Sequence, residues 1–324
     1  MIEVENLCKS YFINNNGLSL FKSMFKKDSK EIVALEDINF SVSKGEAVGV
    51  IGLNGAGKST LIKVLTGALS MSKGDVRVDG KSPFNERKNY VKNIGVVFGQ
   101  RSQLSWDIPI LSSYKLLQGV YDIPKEIFSR NLDEYSKEFG VEPFMHRPLR
   151  QLSLGQRVRA EIVAALLHSP SILFLDEPTI GLDLKVKQKI RDALYRLKND
   201  KGVTIIITSH DFEDIDSLAS RIILLHQSRI AYDGEKSNFL KKYQKEKSIL
   251  FDANIASSEI KCITSHLLVE NVEINNNRFK INVKEENVNS VVIDLINKYK
   301  LSDLVIEDNK FEFVVDSFIN SLEK

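Results

Sequence analysis

The stretch AVGVIGLNGAGKSTLIKVLTG, residues 47–67, decides the fold of this chain. Ala47–Gly52 is apolar without alternation, as expected of a strand covered on both faces in a parallel sheet. Lys58–Gly67 then takes up a helical pattern. Between them GLNGAGKST (Gly52–Thr60) matches G-x-x-x-x-G-K-S/T. Gly52, Gly55 and Gly57 have no Cβ, so the backbone through Asn54 and Ala56 can curl close to an anion. N–H groups gathered at a helix N-terminus form a nest that favours negative charge. Lys58 adds a point charge for the outer phosphates, and Ser59, followed by Thr60, offers a hydroxyl to Mg²⁺. The loop lies between strand and helix, as the pattern requires, and implies a nucleoside triphosphate site.

Working outward, SILFLDEPT (Ser171–Thr179) ends an apolar run in two carboxylates. Side chains alternate along a strand, so Asp176 and Glu177 are expected to point differently and take different roles. Asp176 suits Mg²⁺, held through water, because this hard ion keeps part of its hydration shell. Glu177 would sit near the terminal phosphate and polarise or hold an attacking water. Further strand patterns are IEVENL, IVALEDINFSV, DVRVDG, NIGVVFG, VTIIITS, RIILLH and a short one at Arg229–Tyr232. Helical patterns cover residues 107–167, broken at Pro109, Pro124 and Pro143, then Leu184–Asn199 and Asp211–Ala219. Alternating apolar strands and helices imply an α/β fold.

The chain has 324 residues, 43% hydrophobic and 27% charged, a globular balance that suggests about two domains. Its net charge of +2 gives no argument for nucleic acid or an anionic membrane as partner. Cys8 and Cys262 are too few and too far apart for a disulfide framework, which fits a reducing compartment. The N-terminus lacks a signal pattern. No run approaches the roughly 18 apolar residues of a membrane helix. The chain is expected to act at a membrane only through partners.

Several segments occur in an order that resembles the ATP-binding cassette (ABC) ATPases. They are Gly52–Thr60, Gln100 in FGQRSQ, LSLGQ (Leu152–Gln156), LFLDEP (Leu173–Pro178), IGLD (Ile180–Asp183) and TSHD (Thr208–Asp211). The resemblance covers most of residues 1–235. It implies an α/β P-loop fold over residues 1–240, with a RecA-like mixed sheet, an antiparallel β-subdomain and a helical subdomain near 101–168. A small α+β accessory domain, residues 241–324, would follow.

The same resemblance implies roles for individual residues. Tyr11, with Phe12 as the adjacent fallback, would stack on adenine, although a strand-end core aromatic is the plainer reading of Tyr11. Gln100 would reach Mg²⁺ and the reacting water, and Ser59 and Asp176 would complete the metal set. Ser153, Gly155 and Gln156 would act on ATP held by the opposite protomer. Leu154 stands where the family usually has Gly, but Gly155 preserves close phosphate approach. Asp183 would couple the two sites of a dimer. His210 would hydrogen-bond the γ-phosphate, joining Glu177, Gln100 and Lys58 in catalysis.

ATP and Mg²⁺ are the implied cofactors, and ATP hydrolysis the reaction. The implied partners are separately encoded membrane-spanning permease subunits and a second cassette, identical or similar, at the cytoplasmic face of the membrane. No nucleic acid is expected. WDIP (Trp106–Pro109) and the insert before residue 31 resemble the daunorubicin- and antibiotic-exporter branch. The alternative is a soluble ABC ATPase acting on ribosomes or DNA. Against it stand the single P-loop and the lack of sustained heptads between P-loop and signature.

Glu235–Lys247 reads as a charged connecting helix. Beyond it come a strand candidate ILFDA, a hairpin around Asn275–Asn277, a helix VNSVVIDLINKY, a strand DLVIE and an amphipathic end with Phe313, Phe318 and Leu322. This texture implies a split βαβ arrangement, which would stabilise or regulate a dimer or sense a small ligand. The insert Gly17–Lys30 is either a short amphipathic helix at lipid headgroups or a hairpin tip packing on itself. Trp106 would line a groove for a membrane subunit or pack in the core. Arg147, Arg150, Arg157 and Arg159 read as a mostly solvated face.

Overall fold

The computed structural model describes residues 2–14, 29–99, 102–253, 269–275 and 278–323. Most of the Gly17–Lys30 insert, with Gln100 and Cys262, lies outside the described residues. The chain divides into two compact units, Met1–Glu235 and Lys236–Lys324.

In the first unit, β1 (Ile2–Asn14), β2 (Ser29–Val42) and β4 (Lys73–Val78) form an antiparallel sheet in the order β2-β1-β4. Strand β1 continues well past IEVENL. Register shifts between Val4 and Ser10, with left-handed φ of 47° at Asn6 and 51° at Asp37, mark bulges. Each extra residue breaks the alternation that would reveal a strand.

The second sheet of this unit has the order β5-β6-β7-β3-β8-β9. Its strands are β3 (Ala47–Gly52), β5 (Ile94–Phe98), β6 (Ile172–Asp176), β7 (Thr204–Thr208), β8 (Arg221–His226) and β9 (Arg229–Glu235). All neighbours are parallel except β8 and β9. Helix α1 (Lys58–Leu65) buries Leu61, Ile62, Val64 and Leu65 in a core shared by both sheets, with Leu7, Leu35, Val50 and Phe174. Each such side chain contributes about 1.5–3 kcal/mol.

Register sets the functional geometry. Phe98 pairs with Asp176, Asp176 with Thr208, and Thr208 with Val50. The carboxyl ends of β5, β6, β7 and β3 therefore align, and segments leaving them converge. Open α/β sheets bind ligands at such an edge.

The one-turn helix α2 (Arg87–Tyr90) precedes β5, and α3 (Ile110–Val120), α4 (Lys125–Glu138) and α5 (Leu154–Leu166) form the helical region. Pro109 and Pro124 sit at the N-caps of α3 and α4, where their missing N–H costs no helical bond. Helix α5 is buried throughout Ala160–Leu166. Helices α6 (Leu184–Lys201) and α7 (Phe212–Leu218) follow β6 and β7.

The second unit opens with α8 (Lys236–Tyr243), shorter than the charged stretch suggested because Glu246 already pairs with Lys284 in a sheet. Strands β10 (Glu246–Asp252), β11 (Val269–Asn275), β12 (Arg278–Lys284) and β13 (Ser302–Asp308) take the order β11-β12-β10-β13. Strand β10 lies antiparallel between β12 and β13, which helix Val288–Lys298 connects, as in a split βαβ arrangement. Helix Val288–Lys298 packs Val288, Val291 and Leu295 on Ile249, Phe251, Phe279 and Ile281. Phe239 of α8 meets Phe318 of helix Phe311–Leu322 edge-on, centroids 5.3 Å apart. Among the described residues, no helix is long and apolar enough to cross a membrane.

Candidate active site

Gly57 caps α1 with φ 110°, and a Cβ there would lie 2.5 Å from the Ala34 carbonyl oxygen and 2.8 Å from Leu35. Gly52 has φ 151°, and its Cβ would lie 2.3 Å from the Leu225 carbonyl oxygen. Only glycine permits this close seating of the loop. The Ala56 N–H donates to Leu53 O at 3.1 Å, leaving Asn54 and Gly55 exposed at the bend. Lys58 is 5% exposed, and its Nζ donates to Gly52 O at 2.7 Å and Leu53 O at 3.2 Å. Burial pushes its pKa below the ordinary lysine value, and the charges of Glu177 and Asp176 partly restore it.

Asp176 Oδ1 accepts from Ser59 Oγ at 3.1 Å and Thr208 Oγ1 at 2.8 Å. The Glu177 N–H is shared by Thr208 O at 3.0 Å and Thr208 Oγ1 at 3.1 Å. Strand β6 ends at Asp176, and Glu177 has a left-handed φ of 54°. The two carboxylates are thus separated by a sharp turn, not by the strand alternation expected from the sequence. His210 Nε2 lies 2.8 Å from Glu177 Oε1, within reach of an imidazole N–H donating to a carboxylate.

Of these groups Ser59, Asp176 and Glu177 line a cavity of about 530 Å³, together with Tyr11, Lys63 and Phe98 among others, while Lys58 and His210 are not among its lining residues. The Tyr11 hydroxyl is 3.5 Å from Thr60 Oγ1, and its ring is partly exposed under the Lys9 ammonium. Ser59 and Asp176 present the hard oxygen donors that Mg²⁺ takes, leaving other positions to phosphate and water. Among the described residues, no cluster of three or more His, Cys, Asp or Glu forms a self-sufficient metal site. The Ser59 and Asp176 oxygens fit an ion whose remaining positions phosphate and water fill.

Ser153 is the N-cap of α5. Its hydroxyl accepts from the Gln156 N–H at 3.3 Å, and Gln156 Oε1 accepts from the Ser153 N–H at 3.0 Å. This capping box starts the helix at Leu154. Gly155 lies against Val186, where a Cβ would come within 3.0 Å, and Leu154 is exposed. Asp183 likewise caps α6, accepting from the Val186 N–H at 3.0 Å. The structure does not bring Ser153, Gly155, Gln156 or Asp183 to the cavity wall.

Some contributors escape a motif reading. Thr208 joins the ends of β6 and β7 through its hydroxyl. Arg159 is not simply solvated: it donates to Gly155 O, Phe139 O and Gly140 O. Arg157 stacks on the half-exposed Trp106, 4.5 Å from its ring centroid. Arg147 and Arg150 are exposed, as expected.

Comparison with known proteins identifies the assembly. Residues 35–180 match the family described as ABC transporter. The ABC transporter ATP-binding protein NatA of Bacillus subtilis is 30% identical over 224 residues, 69% of this chain and 89% of that protein. The chain belongs to the ABC transporter ATP-binding family. A second relative, the energy-coupling factor transporter ATP-binding protein EcfA of Methanocaldococcus jannaschii, is 34% identical over 216 residues, 66% of this chain and 77% of that protein. The dimeric post-hydrolysis structure of the ATP-binding cassette MJ0796 bound to ADP and Pi superposes with TM-score 0.63 and 27% identity, covering 72% of this chain and 98% of that one. The fold is that of an ABC ATPase, and ATP hydrolysis is its activity.

Proposed function

We propose that this ABC cassette is the ATP-hydrolysing subunit of a membrane exporter, acting as a homodimer or with a similar cassette, peripheral at the cytoplasmic membrane face. The observation that carries the reading is the convergence of Lys58, Ser59, Asp176, Glu177 and His210 at the aligned carboxyl ends of β3, β6 and β7. Phosphoryl transfer to water needs positioning and charge stabilisation more than covalent chemistry.

Lys58 exchanges its loop carbonyls for phosphate oxygens. Ser59 and Asp176, with Gln100, would hold Mg²⁺, which would supply charge neutralisation for the phosphates. Glu177 holds and polarises the attacking water, while His210 turns its Nε2 N–H from Glu177 to the terminal phosphate. Tyr11 stacks on the base, a contact that tolerates any purine. Ser153, Gly155 and Gln156 stand at the N-terminus of α5, where helix donors suit an anion held by a second cassette. Asp183, at the start of α6, would couple the two sites. The dimeric MJ0796 structure supports such pairing. Separately encoded permease subunits would supply the transport path, and the direction of transport rests on the WDIP and insert resemblance. The Lys236–Lys324 unit would serve as an accessory domain.

The test is Glu177→Gln. Hydrolysis, followed as phosphate release, should fall by roughly 10²–10⁴-fold with ATP binding retained. An ATP-dependent dimer should accumulate in sedimentation. Unchanged hydrolysis would remove Glu177 from its role. Capture of multi-span membrane proteins on the tagged chain would test the transport partnership, and capture of ribosomes or DNA instead would overturn it.

A further inference from the structure

Glu177 and His210 leave different strands, yet the segments bearing them are tied to one buried side chain outside the cavity. Asp214, on α7, is 1% exposed. Its Oδ2 accepts from Ser209 Oγ at 2.6 Å and from Thr179 Oγ1. Ser209 directly precedes His210, and Thr179 follows Glu177 by one intervening proline. Asp214 Oδ1 accepts from Arg191 Nε at 2.6 Å.

Arg191, on α6, is itself buried and pairs also with Asp211 at 3.0 Å and Glu213 at 2.8 Å. Lys187, one turn earlier, meets Asp211 at 2.5 Å. One carboxylate therefore joins the end of β6, the end of β7 and the helix that starts at Asp183.

Stability alone does not account for this arrangement. A buried ion pair contributes little beyond what well-packed apolar side chains would give, and it tolerates no missing partner. What it does supply is direction: hydroxyls from two separate strand ends are drawn to a common point. We propose that Asp214 is a positioning residue for ATP hydrolysis, holding Glu177 and His210 in register with each other and with α6. The proposal rests on the roles given to Glu177 and His210 above. Asp214 is not among the cavity-lining residues and acts through its neighbours.

Ser209→Ala and Thr179→Val each remove one hydroxyl with little change in volume. A misplacement of about 1 Å can lower a rate by roughly 10²-fold. Each single variant should lose about threefold to tenfold in kcat, and the double variant roughly 10²-fold, with KM for ATP within about threefold of wild type. Asp214→Ala should match the double variant. Asp214→Asn should recover most of kcat, because both hydroxyls can rotate to accept from its amide while its oxygen still faces Arg191. In a Glu177→Gln background the double variant should cause no further loss.

Glu177→Gln and His210→Ala run alongside. If these two retain hydrolysis, the site reading itself fails. If they lose it while the folded double variant turns over at the wild-type rate, the positioning role is refuted. Equal losses in kcat and in ATP affinity would also refute it, since they mark general damage. Should Asp214→Ala fail to fold, the hydroxyl variants carry the test.

Discussion

Replacing Lys58 by alanine isolates what the phosphate loop gains from charge. The curl from Gly52 to Gly57 should survive, because its glycines and the Ala56-to-Leu53 hydrogen bond set it. What disappears is a buried ammonium held by the Gly52 and Leu53 carbonyls. Two unit charges about 4 Å apart interact by about 4 kcal/mol at an effective dielectric near 20. Bound phosphate must displace both carbonyl partners, each contributing about 1 kcal/mol net. The remainder, about 2 kcal/mol, corresponds to roughly 30-fold weaker ATP binding. Titration calorimetry of wild type and Lys58→Ala reads this directly, with thermal melting to confirm the fold. A dissociation constant within about threefold of wild type would refute the electrostatic reasoning.

The same lysine gives a pH signature. Burial lowers its pKa in the folded chain below 10.5, the charges of Glu177 and Asp176 opposing the shift. The unfolded chain holds this proton to higher pH than the folded one. The contribution of the group to stability is therefore present at alkaline pH and lost as pH falls through the lowered value. An anionic phosphate pushes the pKa back up. ATP binding should take up protons on the alkaline side, and affinity should decline as pH rises through that window. Calorimetry in buffers of different ionisation enthalpy measures the uptake, which Lys58→Ala should abolish. Its absence in wild type would contradict the assignment.

Three further outcomes follow from the geometry. Gly57→Ala forces a Cβ toward the Ala34 carbonyl at a left-handed φ, so it should lose about 1–3 kcal/mol of stability and most ATP binding; an unshifted melting temperature would count against it. Ser153→Ala removes the α5 cap and should cost about 1 kcal/mol in melting experiments, together with ATP-dependent dimerisation in sedimentation. Truncation after Glu235 leaves every cavity-lining residue in place, so ATP affinity should persist; its loss would show that the second unit is required for the site.

Much of the site was legible because its parts are local. A glycine requirement, a strand-to-helix switch or a capping serine is set by neighbours in the chain. The loop Gly52–Thr60 and the acidic end at Asp176 and Glu177 could therefore be named from order and spacing. The far half of β1 could not, because bulges at Asn6 and Asp37 interrupt its alternation. Arg159 read as solvated because nothing in its own helix announces the Phe139 and Gly140 carbonyls it meets.

By itself, the sequence determined the phosphate loop, the class of fold and the residue types available for catalysis, since backbone conformation and hydrophobic period are local properties. Only the tertiary structure decided that Glu177 meets His210, that Thr208 spans two strand ends and that Asp214 gathers Ser209, Thr179 and Arg191. Those contacts depend on the parallel register of β6 against β7, and register is set by the packing of the whole sheet.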